Sequence, residues 1–125
     1  MSRSIVLVVD DQRDQRETIA PALEAEGYAV RCAENGAQAL ALMHGAGRPD
    51  AIVLDLSMPV MGGWELLEIL RGEPELSEIP VVVLSALPAP TGTLHLAKPV
   101  SLGDLLEMLD RVRTHRGGDV VERPI

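Results

Sequence analysis

The sequence predicts an α/β domain built on an open parallel sheet. Three apolar runs with many β-branched residues are typical of strands that are covered on both faces, and they span 5–9, 51–54 and 79–84. Between the runs lie segments whose apolar residues recur every three or four positions, a spacing that indicates helices. Strands that alternate with helices along a chain favour a sheet with helices packed on it.

The first helix is predicted over 12–26, where Ile19 and Leu23 stand four positions apart. Gly27 then ends it, because glycine is a poor helix former. Pro21 lies inside this segment and cannot donate a main-chain hydrogen bond. We therefore expect either a kink or a late start in this helix.

Five further elements follow from the same periodicities. They are an edge strand at 28–32, a helix at 37–44, a helix at 64–71, a short strand at 93–96 and a last helix at 101–115. Ser101 is a good N-cap for the last helix, and Asp104 adds negative charge to its first turn. We predict one domain over 1–118 and a loose tail over 119–125.

Composition and charge narrow the class of protein. A chain of 125 residues fits one domain, and its net charge of −8 argues against duplex nucleic acid and anionic membranes as partners. The apolar run at 4–9 is too short to cross a bilayer and does not form a signal peptide, so we predict a cytoplasmic protein. Cys32 is the one cysteine, which excludes a disulfide framework within the chain. We interpret Cys32 and Trp64 as packing residues.

Side chains capable of chemistry stand where the predicted strands end. Asp10 and Asp11 follow the first strand, Asp55 ends the third, and Ser85 and Lys98 stand at or after the ends of the fourth and fifth. The carboxyl ends of parallel strands point the same way, and open α/β sheets carry their sites beyond those ends. We therefore expect these five side chains to meet at one rim of the sheet.

This set of side chains suits phosphoryl chemistry. Three neighbouring carboxylates repel one another unless a cation joins them, and oxygen ligands in an open site suit Mg²⁺. An ionised Asp55 beside the cation is able to attack a phosphoryl group, while Lys98 adds positive charge and Ser85 donates a hydrogen bond. Because phosphoryl transfer depends mainly on positioning and electrostatics, the pattern indicates a phosphoacceptor site.

The blocks that contain these residues resemble the response-regulator receiver family, in particular its single-domain chemotaxis members. They are Val8–Asp11, Leu54–Gly63, Val83–Ala86 and Leu96–Pro99, and the resemblance covers about residues 4–115. It implies a flavodoxin-like three-layer sandwich with a five-stranded parallel sheet of order 2-1-3-4-5. It also implies a stand-alone response regulator of a two-component system, a phosphoprotein of phosphorelay signal transduction.

The resemblance further implies Mg²⁺ as the cofactor. Asp11 is similar to the direct metal ligand of the family, and Asp10 to the ligand that acts mostly through water. Asp55 and the main-chain carbonyl of Ser57 would complete the set of metal ligands.

By the same resemblance, Asp55 is the phosphoacceptor that becomes an aspartyl phosphate. Ser85 is similar to the switch hydroxyl, and Lys98 to its charge partner, with a cis Lys98–Pro99 bond. Family members receive the phosphoryl group from a histidine kinase, a histidine phosphotransfer protein or a small donor such as acetyl phosphate. The implied protein is not an enzyme beyond self-phosphorylation and slow self-dephosphorylation. It would signal through protein–protein contacts, with no nucleic-acid or membrane partner.

The chain departs from the family between Ser85 and Lys98. Only residues 86–97 separate them, and a strand takes about five of those residues. The few that remain include two prolines, which oppose a helix. We predict that the fourth helix of the family is replaced by a loop over 87–92. The fifth strand then becomes a partly uncovered edge that is able to recruit a partner strand.

A second departure is His95, which stands three residues before Lys98, where the family usually has tyrosine or phenylalanine as a rotating switch. Histidine is planar and titrates near neutral pH. Our hypothesis is a weak or pH-sensitive switch at His95, and the alternative is a surface histidine on an edge strand.

Other functions are compatible with parts of the pattern. A pseudo-receiver would share the fold and bind proteins without being phosphorylated, and the missing helix and His95 favour it. A phosphatase with an aspartyl nucleophile commonly needs a second acid two residues later, where this chain has Ser57. A flavin carrier needs a phosphate loop after the first strand, where Asp10 and Asp11 would repel phosphate.

Overall fold

A computed structural model of the chain describes residues 4–56, 62–86 and 94–114. Five strands and four helices follow one another along the described chain. In order they are β1 (Ile5–Val9), α1 (Arg13–Ala25), β2 (Ala29–Ala33), α2 (Gly36–Ala46), β3 (Ala51–Asp55), α3 (Gly63–Gly72), β4 (Val81–Ser85), β5 (Leu94–Ala97) and α4 (Leu102–Thr114). All nine predicted elements are present, within two residues of the predicted bounds.

The five strands form one parallel sheet of order β2-β1-β3-β4-β5. Alternate residues of β1 face opposite sides, so that Val6 and Val8 pack with α1 and α4 while Leu7 and Val9 pack with α2 and α3. The continuous apolar runs are therefore buried on both faces, as predicted. This arrangement confirms the flavodoxin-like three-layer sandwich.

Helix α1 begins at Arg13, so the predicted late start is wrong. Pro21 lies inside the helix on its exposed side. Burial of Ile19 and Leu23 against the sheet outweighs the one main-chain hydrogen bond that the proline cannot make. Gly27, with a φ of 97°, follows the end of the helix as predicted.

The described chain has four helices, and none of them lies between β4 and β5. Residues 86–93 make this connection, of which only Ala86 is described, and the predicted loop over 87–92 lies outside the described residues. β5 is the last strand of the sheet and pairs with β4. The prediction of a missing fourth helix and of an edge at the fifth strand agrees with this arrangement.

Two packing assignments are wrong. Cys32 is exposed, because it lies on β2, the outer strand at the other end of the sheet. Trp64 is 54% exposed in the first turn of α3. Ser101 does cap α4, since its Oγ accepts a hydrogen bond from the Asp104 amide at 3.3 Å. Among the described helices, none has the length and apolar character needed to cross a bilayer. The predicted tail lies outside the described residues.

Candidate functional site at the carboxyl ends of the strands

Three carboxylates meet at the carboxyl rim of the sheet. Asp10 directly follows β1 and Asp55 is the last residue of β3, and both are 1% exposed. Asp11 stands beside them and is half-buried. Each of the three offers a carboxylate oxygen, and these oxygens lie within 4.8 Å of one another. Adjacent parallel strands in register bring about this juxtaposition, which the sequence predicted.

Lys98, which directly follows β5, extends its side chain to the same rim. Its Nζ donates a hydrogen bond to Asp55 Oδ1 at 2.9 Å, and its side chain is 22% exposed. The main-chain amide of Lys98 donates to the Ser85 carbonyl at 3.1 Å, and the Lys98–Pro99 bond is cis, as predicted. The end of β4 thus holds the lysine backbone, and the ammonium offsets part of the negative charge of Asp55.

The pKa of Asp10 reflects its burial among these charges. The pKa of Asp10 is raised from 3.8 to about 6, mainly by burial and also by the nearby charges of Asp55 and Asp11. The Gln12 amide, which donates to Asp10 Oδ1 at 2.9 Å, and the Lys98 ammonium oppose that increase in pKa. Ionisation of Asp10 is therefore less favourable in the folded chain than in the unfolded chain, and a bound cation would offset that cost.

Two carboxylate oxygens show where such a cation fits. Asp10 Oδ2 and Asp11 Oδ1 are buried, and neither has a hydrogen-bond partner among the described residues. A buried polar atom without a partner costs free energy, and a hard cation bound to both oxygens removes that cost. All the donors are oxygens, which Mg²⁺ prefers. The donor set therefore fits Mg²⁺. The fourth predicted ligand, Ser57, lies outside the described residues.

Ser85 and His95 share a contact next to this cluster. Ser85 is the last residue of β4 and is buried. His95 Nε2 on β5 lies 3.3 Å from the Ser85 carbonyl oxygen, the same oxygen that accepts from the Lys98 amide. The half-buried imidazole therefore contacts the main chain of the residue predicted to be the switch hydroxyl.

Gly63 lies directly against the main chain of Asp55 and Leu56, a contact that the pattern of strand ends does not reveal. Its amide donates to the Leu56 carbonyl at 3.3 Å, and a Cβ placed at Gly63 would collide with the Asp55 carbonyl oxygen and Leu56 Cα. Helix α3 thus begins directly against the Asp55 peptide. The one signal in the sequence is a glycine eight residues after the acid, and only the fold explains it.

We expect Gly63→Ala to destabilise the protein by about 1–3 kcal/mol, because the methyl group must displace either α3 or the Asp55 peptide. Urea denaturation measures this change. The control is Gly72→Ala at the other end of the same helix, where the added methyl meets nothing within 4 Å. Equal stability of the two variants would contradict the close approach at Gly63.

Arg16 is a further residue that the sequence analysis missed. It lies on α1, yet its Nη1 donates a hydrogen bond to the Asp10 carbonyl oxygen at 2.7 Å. The pattern of strand ends does not indicate Arg16, because this residue belongs to a helix and contacts the rim only in the folded chain.

Comparison with known proteins agrees with this fold. The family model for the response regulator receiver domain matches residues 6–110. Response regulator MprA of Mycobacterium tuberculosis is 36% identical over 110 residues, which cover 81% of this chain and 46% of that protein. Protein RcaC of Microchaete diplosiphon is 35% identical over 121 residues, with 86% of this chain and 18% of that protein covered. The chain spans less than half the length of these two curated relatives.

Solved structures give the same result. Chemotaxis protein CheY4 of Vibrio cholerae superposes with a TM-score of 0.80 at 32% identity, over 89% of this chain and 99% of that chain. The receiver domain of Francisella response regulator 1452 superposes with a TM-score of 0.83 at 30% identity, over 92% of this chain and all of the other.

The fold and the rim define a class of protein, a flavodoxin-like α/β domain with an acidic site at the carboxyl ends of its strands. More specifically, the chain belongs to the response regulator receiver domain family of two-component systems.

Proposed function

We propose that the chain accepts a phosphoryl group on Asp55 in a Mg²⁺-dependent reaction. The observation that carries this proposal is the group around Asp55, where Lys98 Nζ stands at 2.9 Å and two further carboxylates offer oxygens within 4.8 Å. Burial of Asp55 keeps water from competing with these charges, which strengthens their interaction.

In the proposed reaction, a carboxylate oxygen of Asp55 attacks phosphorus, and an acyl-phosphate bond forms. The P–N bond of a phosphohistidine, or the P–O bond of acetyl phosphate, breaks as histidine or acetate departs with the bonding pair. Mg²⁺ bound at the acids would supply positive charge that offsets the charge of the phosphoryl oxygens. Lys98 holds Asp55 in place and then donates to a phosphoryl oxygen, and the Ser85 hydroxyl donates to another.

The proposed donors are a histidine kinase and a histidine phosphotransfer protein, as in the family to which the chain belongs. A cytoplasmic location and output through protein–protein contacts are parts of the same proposal. The β5 edge is the proposed contact surface, because the outer strand of a sheet is able to pair with a strand of another protein. Neither a nucleic acid nor a membrane is a proposed partner.

The test is intact-mass analysis after incubation with acetyl phosphate and Mg²⁺. The wild type should gain one phosphoryl group, while Asp55→Asn and wild type in chelator should gain none. Asp104→Asn, which neutralises an exposed acid on α4, should gain the group as the wild type does. A wild type that folds and binds Mg²⁺ but never gains mass would instead be a pseudo-receiver.

We also expect His95 to take part in the response to phosphorylation. Beryllofluoride with Mg²⁺, a mimic of the phosphoryl group, should change amide chemical shifts along β5 less in His95→Ala than in the wild type. The reason is that the imidazole links β5 to the Ser85 carbonyl. His44→Ala is the control, because His44 is exposed and pairs with Glu73 on another surface. Identical shift changes in all three proteins would leave His95 with no switch role.

A further inference from the structure

The guanidinium of Arg16 contacts the main chain between the two adjacent acids. Arg16 is half-buried near the start of α1, and its Nη1 donates to the Asp10 carbonyl oxygen at 2.7 Å. That carbonyl belongs to the peptide bond that joins Asp10 to Asp11. The hydrogen bond therefore fixes the plane of this peptide, and with it the direction in which each acid leaves the main chain.

Two other hydrogen bonds restrain the same turn. The Asp10 amide donates to the Ala33 carbonyl at 3.0 Å, and the Gln12 amide donates to Asp10 Oδ1 at 2.9 Å. These bonds hold the amide and the carboxylate of Asp10. Among the described residues, it is the Arg16 bond that restrains rotation of the Asp10–Asp11 peptide. The two residues that this peptide joins each carry one of the unpartnered oxygens, Asp10 Oδ2 and Asp11 Oδ1.

We infer that Arg16 is a positioning residue that holds the Asp10–Asp11 peptide so that both unpartnered oxygens face one divalent cation, bound directly or through water. This inference rests on the proposed Mg²⁺ site and adds a residue to it. Arg16 acts through geometry, since its own positive charge repels a divalent cation. Loss of the charge alone would therefore tighten metal binding, whereas loss of the hydrogen bond would weaken it. The two effects have opposite signs, which makes the inference testable.

The test compares Arg16→Met with Arg13→Met in the full chain. Arg13 lies on the same helix, is exposed and pairs with Glu17, so its replacement removes the same charge without touching Asp10. Mg²⁺ affinity is measured by isothermal calorimetry. We expect Arg16→Met to weaken Mg²⁺ binding by about tenfold, as is typical when a group that orients a metal ligand is lost. Arg13→Met should bind as tightly as the wild type or slightly more tightly, and Arg16→Lys should recover part of the affinity.

A second readout needs no metal. In chelator, hydrogen exchange at the Gln12 amide should be faster in Arg16→Met than in the wild type, because the turn that holds its bond to Asp10 is less restrained. The exchange should be unchanged in Arg13→Met. At saturating Mg²⁺, phosphoryl uptake from acetyl phosphate should return close to the wild-type rate in Arg16→Met, since only the metal dependence has moved.

The outcomes separate this inference from the proposed function. A wild type that binds no Mg²⁺ contradicts the proposed function itself. A wild type that binds Mg²⁺, beside an Arg16→Met that binds as tightly or more tightly and exchanges Gln12 at the same rate, overturns the role of Arg16 alone. If Arg16→Met is partly unfolded, Arg16→Lys decides the matter. Intermediate affinity with intermediate Gln12 exchange supports the inference, and wild-type values of both overturn it.

Discussion

Replacement of Lys98 by methionine is expected to lower the free energy of unfolding by about 3 kcal/mol and to slow phosphoryl uptake at least about a hundredfold. The stability falls because Asp55, 1% exposed, keeps a buried charge without its ammonium at 2.9 Å. The rate falls because one donor to the phosphoryl oxygens is gone. Urea denaturation in chelator and intact-mass kinetics with acetyl phosphate measure the two effects.

Three comparisons isolate the ion pair. Arg111→Met removes the same charge from an exposed pair with Glu107 and should cost less than about 1 kcal/mol. Adding Asp55→Asn to Lys98→Met should restore most of the lost stability, because the buried charge that had lost its ammonium is then removed as well. Millimolar Mg²⁺ should also stabilise Lys98→Met, since it binds only the folded acids. A Lys98→Met protein as stable as Arg111→Met would contradict the importance of the buried pair.

Asp10→Asn is expected to stabilise the metal-free protein and to impair Mg²⁺ binding. Folding raises the pKa of Asp10 from 3.8 to about 6, so keeping this group ionised at neutral pH costs about 3 kcal/mol. Asparagine carries no charge and is still able to accept the hydrogen bond from the Gln12 amide. The variant should therefore unfold at higher urea concentration than the wild type in chelator, and bind Mg²⁺ more weakly than it does.

The stability gained by Asp10→Asn should decrease as the pH is lowered. The folded chain binds a proton at Asp10 more tightly than the unfolded chain does, so this group destabilises the fold above about pH 6. As the pH falls from about 6 towards about 4, the penalty disappears and the metal-free wild type gains stability from this group. The difference in unfolding free energy between Asp10→Asn and the wild type should accordingly shrink over this range.

Asp14→Asn provides the matched control for Asp10→Asn. Asp14 is exposed in the first turn of α1, where a negative charge favours the helix. Its replacement should lower stability by about 0.5 kcal/mol, opposite in sign to the change at Asp10. If both variants were destabilised equally at neutral pH, this result would contradict the conclusion that ionised Asp10 destabilises the metal-free fold.

The sheet and the acidic rim could be predicted because both follow from local patterns and one general rule. Runs such as Ile5–Val9 are apolar without interruption, which predicts strands buried on both faces. The rule that parallel strands end at one rim then brings Asp10, Asp11 and Asp55 together, as the oxygens within 4.8 Å show. The strand order came from the resemblance of the motifs to a family, since no local pattern sets it.

Other features depend on contacts between segments that are distant in the chain. Cys32 and Trp64 have apolar side chains, yet both are exposed. Cys32 is exposed because β2 is an outer strand, and Trp64 is exposed because of its place at the start of α3. The contact between Gly63 and the Asp55 peptide is likewise tertiary. The bond from Arg16 to the Asp10 carbonyl depends on how α1 leaves β1, which residue spacing alone does not reveal.

Lys98 is the one lysine among the 125 residues of the chain, and its ammonium bonds to Asp55. Enrichment of lysine at Nζ alone therefore yields a single side-chain nitrogen resonance in NMR spectra, and that nitrogen lies beside the proposed phosphoacceptor. Titration with metal, an acyl phosphate donor or a partner protein can be followed through that one resonance in the unmodified chain. The ion pair thus gives the molecule a built-in spectroscopic reporter of its own chemistry.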